Sequence, residues 1–203
     1  MDYLFAVILF AISSSVTPGP NNIMVMTSGL NFGVRRSLPL LAGICVGFSI
    51  MLLLVGVGFS QLFELFPSLH FIIKCVGVAY LLYLAYIIAR SAGSVSSNQQ
   101  SKPLSFLKGA LFQWVNAKAW VVATGAIAAF TSVGADFFGQ NLLIALTFFI
   151  VSFPCVGVWL AFGSLLKKWL NNPKGRQYFN LTMASLLVLS VVPVMNEIIA
   201  QLS

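Results

Sequence analysis

Six apolar stretches, each near the roughly 20 residues a helix needs to cross about 30 Å of hydrocarbon, occupy most of this chain. They run over residues 3–30, 38–61, 69–89, 106–130, 138–165 and 178–200. In lipid a helix satisfies its own backbone, whereas an open sheet edge does not. The predicted fold class is therefore all-α, a polytopic membrane protein with six transmembrane helices. Composition closes off the alternatives. Charged residues make up 7% of the 203, against about 25% in a soluble domain. Fifteen charges cannot cover a soluble globule of this size, which excludes cytosolic enzymes, secreted disulfide modules and disordered chains.

The basic residues alternate with the spans. Arg35 and Arg36 fall in the first connection, Arg90, Lys102 and Lys108 in or beside the third, and Lys167, Lys168, Lys174 and Arg176 in the fifth. All four acids, Asp2, Glu64, Asp136 and Glu197, fall at the opposite ends. The positive-inside rule then predicts cytoplasmic odd-numbered connections and both termini outside. Asp2, with no basic residue before the first span, predicts that this span is retained rather than cleaved as a signal. Orientation thus accounts for the net charge of +7. No basic run interleaved with aromatics points to nucleic acid.

The longest polar segment, residues 91–102, reads as a flexible cytoplasmic linker. It predicts a first three-helix repeat over 1–90, a linker over 91–105 and a second repeat over 106–203. An odd number of spans per half requires that halves sharing a fold be related by an inverted-topology pseudo-two-fold axis. Short internal echoes agree: Val16-Thr17-Pro18-Gly19 with Val115-Asn116-Ala117-Lys118, and Cys45-Val46-Gly47 with Cys155-Val156-Gly157.

Within the first span, Thr17-Pro18-Gly19-Pro20-Asn21-Asn22 cannot continue a regular helix. Two prolines lack amide donors and clash with the preceding turn, and the glycine between them tolerates unusual backbone angles. At about 1.5 Å per residue from Tyr3 the break lies roughly 20 Å deep, somewhat past the bilayer centre. Broken backbone survives there only if it is buried or lines a cavity. It exposes carbonyls at residues 14–16 and amides at residues 20–23, and the positive dipole end suits an anion. A carboxylate on one end and an ammonium on the other match an amino-acid zwitterion. The alternative is a proline kink that only bends a packed helix.

Within the fourth span, Gln113-Trp114-Val115-Asn116-Ala117-Lys118 places a lysine roughly 15 Å in from Lys108. A charge at that depth costs at least about 2.5 kcal/mol on insertion scales and is normally functional or paired. No Asp or Glu lies at comparable depth. The candidate partners are the carbonyl end of the first break, the Asn116 amide and a substrate carboxylate. Lacking a buried carboxylate, the chain offers Lys118 as its candidate proton carrier; the alternative is a side chain that snorkels to water.

The remaining polar residues of the spans read more plainly. Lys74, near the outer end of the third span, is read as snorkelling, and His70 as an interfacial residue without metal-ligand spacing. Cys45, Cys75 and Cys155 are read as buried free thiols. Gly43 and Gly47, extended by Gly56 and Gly58, read as a close helix-packing face, and Trp159, Trp169 and Tyr178 as interface anchors. No cofactor, metal or catalytic set is read, and without a G-x-x-x-x-G-K loop any pumping draws on an ion gradient or the substrate's own.

These motifs resemble a known family. The run Thr17 to Asn21 ending the first half-helix, and Gln-x-x-Asn-x-Lys-Ala-Trp opening the second half, are similar to the LysE/RhtB family of bacterial amino-acid exporters. The doubled Asn21-Asn22 and the run from Phe112 to Lys118 look most like its cysteine and O-acetylserine branch. The resemblance implies a secondary transporter of the bacterial inner membrane, exporting a small neutral amino acid or derivative and driven by the proton motive force. Carried over position by position, the motif residues are Thr17, Pro18, Gly19, Pro20, Asn21, Asn116 and Lys118; with Asn22 and Gln113 they make the candidate substrate-binding set, and Lys118 is the candidate coupling group. Many members carry proline between the Asn and the Lys, where this chain has Ala117. That departure leaves open whether the fourth span carries a matching break. Export of homoserine or threonine, a non-transporting scaffold role, and a homo-oligomeric state stay open. An intramembrane enzyme is disfavoured because no nucleophile-base set lies within the spans.

Overall fold

The computed structural model describes residues 2–59, 65, 67–90, 102–132, 134, 136–170 and 172–202. Every regular element among them is helical: α1 (Asp2–Val16), α2 (Pro20–Phe32), α3 (Val34–Leu54) with a π-helical turn (Val55–Phe59), α4 (Pro67–Arg90), α5 (Phe106–Phe112) with a 3-10 turn (Gln113–Val115), α6 (Ala117–Phe130), α7 (Phe137–Trp169) and α8 (Pro173–Leu202). Four stretches are long and apolar enough to cross a bilayer: Val34–Gly58, Phe71–Arg90, Phe137–Lys167 and Lys174–Gln201. Tyr3–Val16 and Pro20–Phe32 form a fifth if counted as one span, bent by 57° at the break. The stretch expected as a fourth continuous span is in three pieces, and its longest, α6, reaches only about 21 Å. Large apolar side chains such as Val121, Ile150, Val158 and Leu189 lie exposed on the outside of the bundle, as contact with lipid requires.

Local chemistry sets the helix ends. Gly33 alone joins α2 to α3; its φ of +80° strains any residue with a Cβ, and its amide closes α2 on the Gly29 carbonyl. Arg35 and Arg36, expected in a connection, therefore sit in the first turn of α3, where Arg36 lies 5.6 Å over the Phe32 ring. Ser105 caps α5 through the Lys108 amide, and Asn172 accepts from the Lys174 amide at the start of α8. The segment 91–101 of the expected linker, Glu64, and the side chains of Asp2, His70 and Trp169 lie outside the described residues.

Small residues make the bundle's tight seams. A Cβ on Gly43 or Gly47 of α3 would run into the backbone of Phe106 or Ala110 of α5, and Gly109 returns the contact onto the Leu40 carbonyl. On the opposite side Gly29 of α2 and Gly163 of α7 bring their backbones against Leu160 and Met26. Gly77 seats α4 on the Val115 carbonyl, and Gly56 packs against the Asn141 amide. The expected packing face thus holds for Gly43, Gly47 and Gly56. Gly58 does something else, turning the π-helical segment at φ +97°.

The buried side chains fall into two clusters. One gathers Met24, Leu40, Ile44, Leu84, Phe112 and Leu187, and the other Val7, Met51, Leu52, Ala123, Ile144 and Phe148. Buried polar side chains accompany them, among them Asn22, Gln113, Asn116 and Ser152. Polar groups so buried each need a partner, so their pairing fixes the register of the broken helices. Cys45 and Cys155 are buried free thiols as expected, but Cys75 is only half-buried.

Candidate functional site

The break in the first span follows from its prolines. Helix α1 ends at Val16, Gly19 is extended, and α2 starts at Pro20 with the Ile23 amide bonded to the Gly19 carbonyl. The carbonyls that the break strands are mostly taken up. Ser13 O accepts from the Thr17 amide and its hydroxyl. Asn22 Nδ2 donates to Ser15 O at 3.0 Å and Thr17 O at 2.9 Å. The Trp159 indole donates to Val16 O at 3.2 Å. Trp159 is therefore not an interface anchor but a brace on the break: its indole N–H meets a carbonyl that the missing Pro20 amide cannot serve.

Ala117 does not keep the fourth span whole. Asn116 is extended at φ −90° and ψ 104°, and its side-chain oxygen caps α6 by accepting from the Lys118 amide at 3.2 Å. An asparagine N-cap thus starts a new helix without a proline. The Trp120 indole ties across the break to Trp114 O at 2.8 Å.

The two breaks meet. Asn21 Nδ2 donates to Gln113 Oε1 at 2.9 Å, and Gln113 Nε2 returns a bond to Asn21 Oδ1 at 3.1 Å and holds Gly109 O at 2.9 Å. Gln113 is fully buried, so this amide pair locks the broken segments at one depth. Lys118 Nζ donates to Thr17 O at 2.6 Å and reaches Pro18 O at 3.5 Å. Its ammonium thus takes carbonyls of the first break, but those of Thr17 and Pro18 rather than the expected ones at residues 14–16. Asn116 serves the Lys118 backbone amide instead. Gly19 leaves the room this requires, since a Cβ there would lie 3.0 Å from Lys118 Cδ and 3.2 Å from Nζ.

Two cavities flank this junction. A small one of about 50 Å³ is lined by Ser14, Ser15, Asn21, Asn22, Cys45 and Ser152, among others, with Phe48 and Phe148 on its apolar side. Ser15 and Ser152 face each other at 3.3 Å there, and Ser152, with no marker but its polarity in an apolar run, is a residue that sequence reasoning missed. A second cavity, of about 400 Å³, opens between α4, α6 and α8, with Pro18, Pro20, Trp120 and Ser190 on its walls. Gly19, Asn116 and Lys118 line both and form the wall between them. The larger cavity also carries Lys74, which does not snorkel freely but pairs with Glu197 at 2.7 Å. The pair links α4 to α8, 123 residues apart in sequence. No group of three metal-ligating side chains occurs among the described residues.

A family model described as LysE type translocator matches residues 12–195. The chain belongs to the LysE family. Its relatives include the cysteine/O-acetylserine efflux proteins of Escherichia coli (strain K12) and Shigella flexneri, each 34% identical over 188 residues, or 90% of this chain and 92% of the relative. No solved structure matches it. Membership in the LysE family points to a membrane translocator rather than an enzyme.

Proposed function

We propose that this LysE-family protein exports cysteine, O-acetylserine or a similar small neutral amino acid from the cytoplasm across the bacterial inner membrane, driven by the proton motive force. The carrying observation is the wall of Gly19, Asn116 and Lys118 between two cavities, closed by the bond from Lys118 Nζ to the Thr17 carbonyl. In this reading six spans form two inverted three-helix repeats with both termini outside. Packing supports it: α3 lies on α7, α4 on α8, the first broken span on α7 and the second on α3. Exchanging the first three spans for the last three carries each of these pairings onto itself or another of the set.

The substrate ammonium and the Lys118 ammonium compete for one set of carbonyls, those of Thr17 and Pro18. The substrate carboxylate meets the start of α2, where Gly19 supplies no side-chain cap to the first amides. Loss of a proton frees Lys118 from the carbonyls and admits the substrate. Reprotonation from outside restores the lysine bond and expels the substrate, so one positive charge resides on the break at a time. At about 50 Å³ the small cavity is much narrower than the second, of about 400 Å³, the inequality that alternating access requires of its two sides.

The test is efflux from proteoliposomes preloaded with a mixed pool of labelled amino acids, with and without a pH gradient. Selective, gradient-dependent loss of one or two small neutral amino acids is the expected result; gradient-independent leakage of all of them overturns the proposal. In the same assay Pro18→Ala with Pro20→Ala should restore a continuous first helix, withdraw the Thr17 and Pro18 carbonyls from Lys118 and stop export. Circular dichroism should register equal or higher helix content. Export at the wild-type rate would reduce the Pro-Gly-Pro run to a bend.

A further inference from the structure

A third cavity, of about 60 Å³, lies between α2 and the C-terminal half of α4 and is covered by Lys102 and Leu104. Thr27, Ser28 and Asn31 of α2 supply its polar wall. The Thr27 hydroxyl is the telling group. Thr17, Thr124, Thr131, Thr147 and Thr182 each donate their hydroxyl to the carbonyl four residues back. Thr27 is 4% exposed, and its Oγ1 has no hydrogen-bond partner among the described residues. A buried hydroxyl left in this way costs free energy unless something else occupies the site.

Its neighbours are also underused. Asn31, one turn on from Thr27, faces the Asn180 amide at 3.5 Å in both directions, long for a hydrogen bond. Ser28 is already committed to Ser37 at 2.7 Å. Lys102 makes no ion pair among the described residues, and no acid lines the pocket. Donors and one cation without an acid select an anion. At about 60 Å³ the pocket has room for a carboxylate beside these donors.

We propose that this pocket is an inner subsite that takes the carboxylate of a small amino acid on Thr27, Asn31 and Lys102, before the molecule reaches the break. The inference rests on the exporter reading above and deepens it, giving the substrate a first docking point on the face that carries Lys102.

The test measures half-saturation in proteoliposomes with labelled O-acetylserine or cysteine supplied on the Lys102 face and, separately, on the opposite face. Thr27→Val keeps the shape and removes the hydroxyl, and Lys102→Gln removes the charge from an exposed segment. Each should raise half-saturation on the Lys102 face about tenfold, the scale of one hydrogen bond to a charged group, with a far smaller shift on the other face. Thr27→Ser should recover most of the loss. An unmoved value in both variants, or equal shifts on both faces, overturns the subsite while export by the wild type upholds the exporter reading. Wild-type vesicles that move neither substrate overturn both. Should Thr27→Val fail to fold, the Lys102→Gln comparison decides.

Discussion

Export driven by a pH gradient should fall to the level of empty vesicles in the Lys118→Gln variant, with the melting temperature of the purified protein changed by only a few degrees. The two readouts separate because the proposed coupling role of the lysine is distinct from its structural one. Structurally its ammonium donates to the Thr17 carbonyl at 2.6 Å and to the Pro18 carbonyl at 3.5 Å. A glutamine amide, though shorter, still offers N–H donors to that place, and Asn22 already serves the same Thr17 carbonyl. Glutamine binds no proton in the working pH range, so it cannot alternate between holding the carbonyls and yielding them to a substrate ammonium. Lys118→Arg sharpens the test. A guanidinium keeps the charge but does not release its proton, so it too should stop gradient-driven export if proton traffic is the duty, and should preserve it if charge alone suffices. Export by Lys118→Gln with unaltered pH dependence would remove Lys118 from the coupling step.

The largest expected loss of stability lies elsewhere, at Gly43→Val. A side chain there has nowhere to go: even its first carbon would overlap the Phe106 backbone of α5, and backbone cannot rotate aside as a flexible side chain can. Overpacking a core commonly costs about 1–3 kcal/mol, and a seam between two main chains belongs at or above the top of that range. The displaced element is α5, which leads directly into Gln113 and, three residues on, Asn116, so export should fail along with folding. Gly157→Ala is the control. No atom outside its own helix lies within 4 Å of its added Cβ, and in a helix interior alanine should stabilise by about 0.5–1 kcal/mol. The measurement is the yield of monodisperse protein on size exclusion, with thermal unfolding in detergent. A Gly43→Val protein as stable as wild type would show that α3 and α5 can part without loss.

Gly47 and Gly157 show how far the sequence could be read. Cys45-Val46-Gly47 and Cys155-Val156-Gly157 are matching tripeptides, yet Gly47 is pressed against Ala110 while Gly157 has open space. Repeated letters did not carry repeated packing. The first break was legible because proline acts locally: the missing amide and the ring clash need no tertiary partner. The second was not, because Asn116 begins α6 through a cap, and an asparagine in an apolar run signals a cap no more strongly than a turn or a buried amide. Lys118 was legible from its depth, and the carbonyl partner was among those its depth allowed. The reciprocal amide bonds of Asn21 and Gln113, 92 residues apart, and the Trp159 brace on Val16 depend on three-dimensional placement that no spacing along the chain encodes.

Gly77 carries a mechanical consequence. Because α4 rests with its main chain on the carbonyl of Val115, it cannot tilt or slide without displacing the residues that follow, Asn116 and Lys118. Opening or narrowing of the large cavity would then be geared to the grip of Lys118 on the first helix. The fulcrum lies one residue from the broken turn, so a small swing of the long α4 rod is read out at the carrier's centre without a relay through the side-chain core.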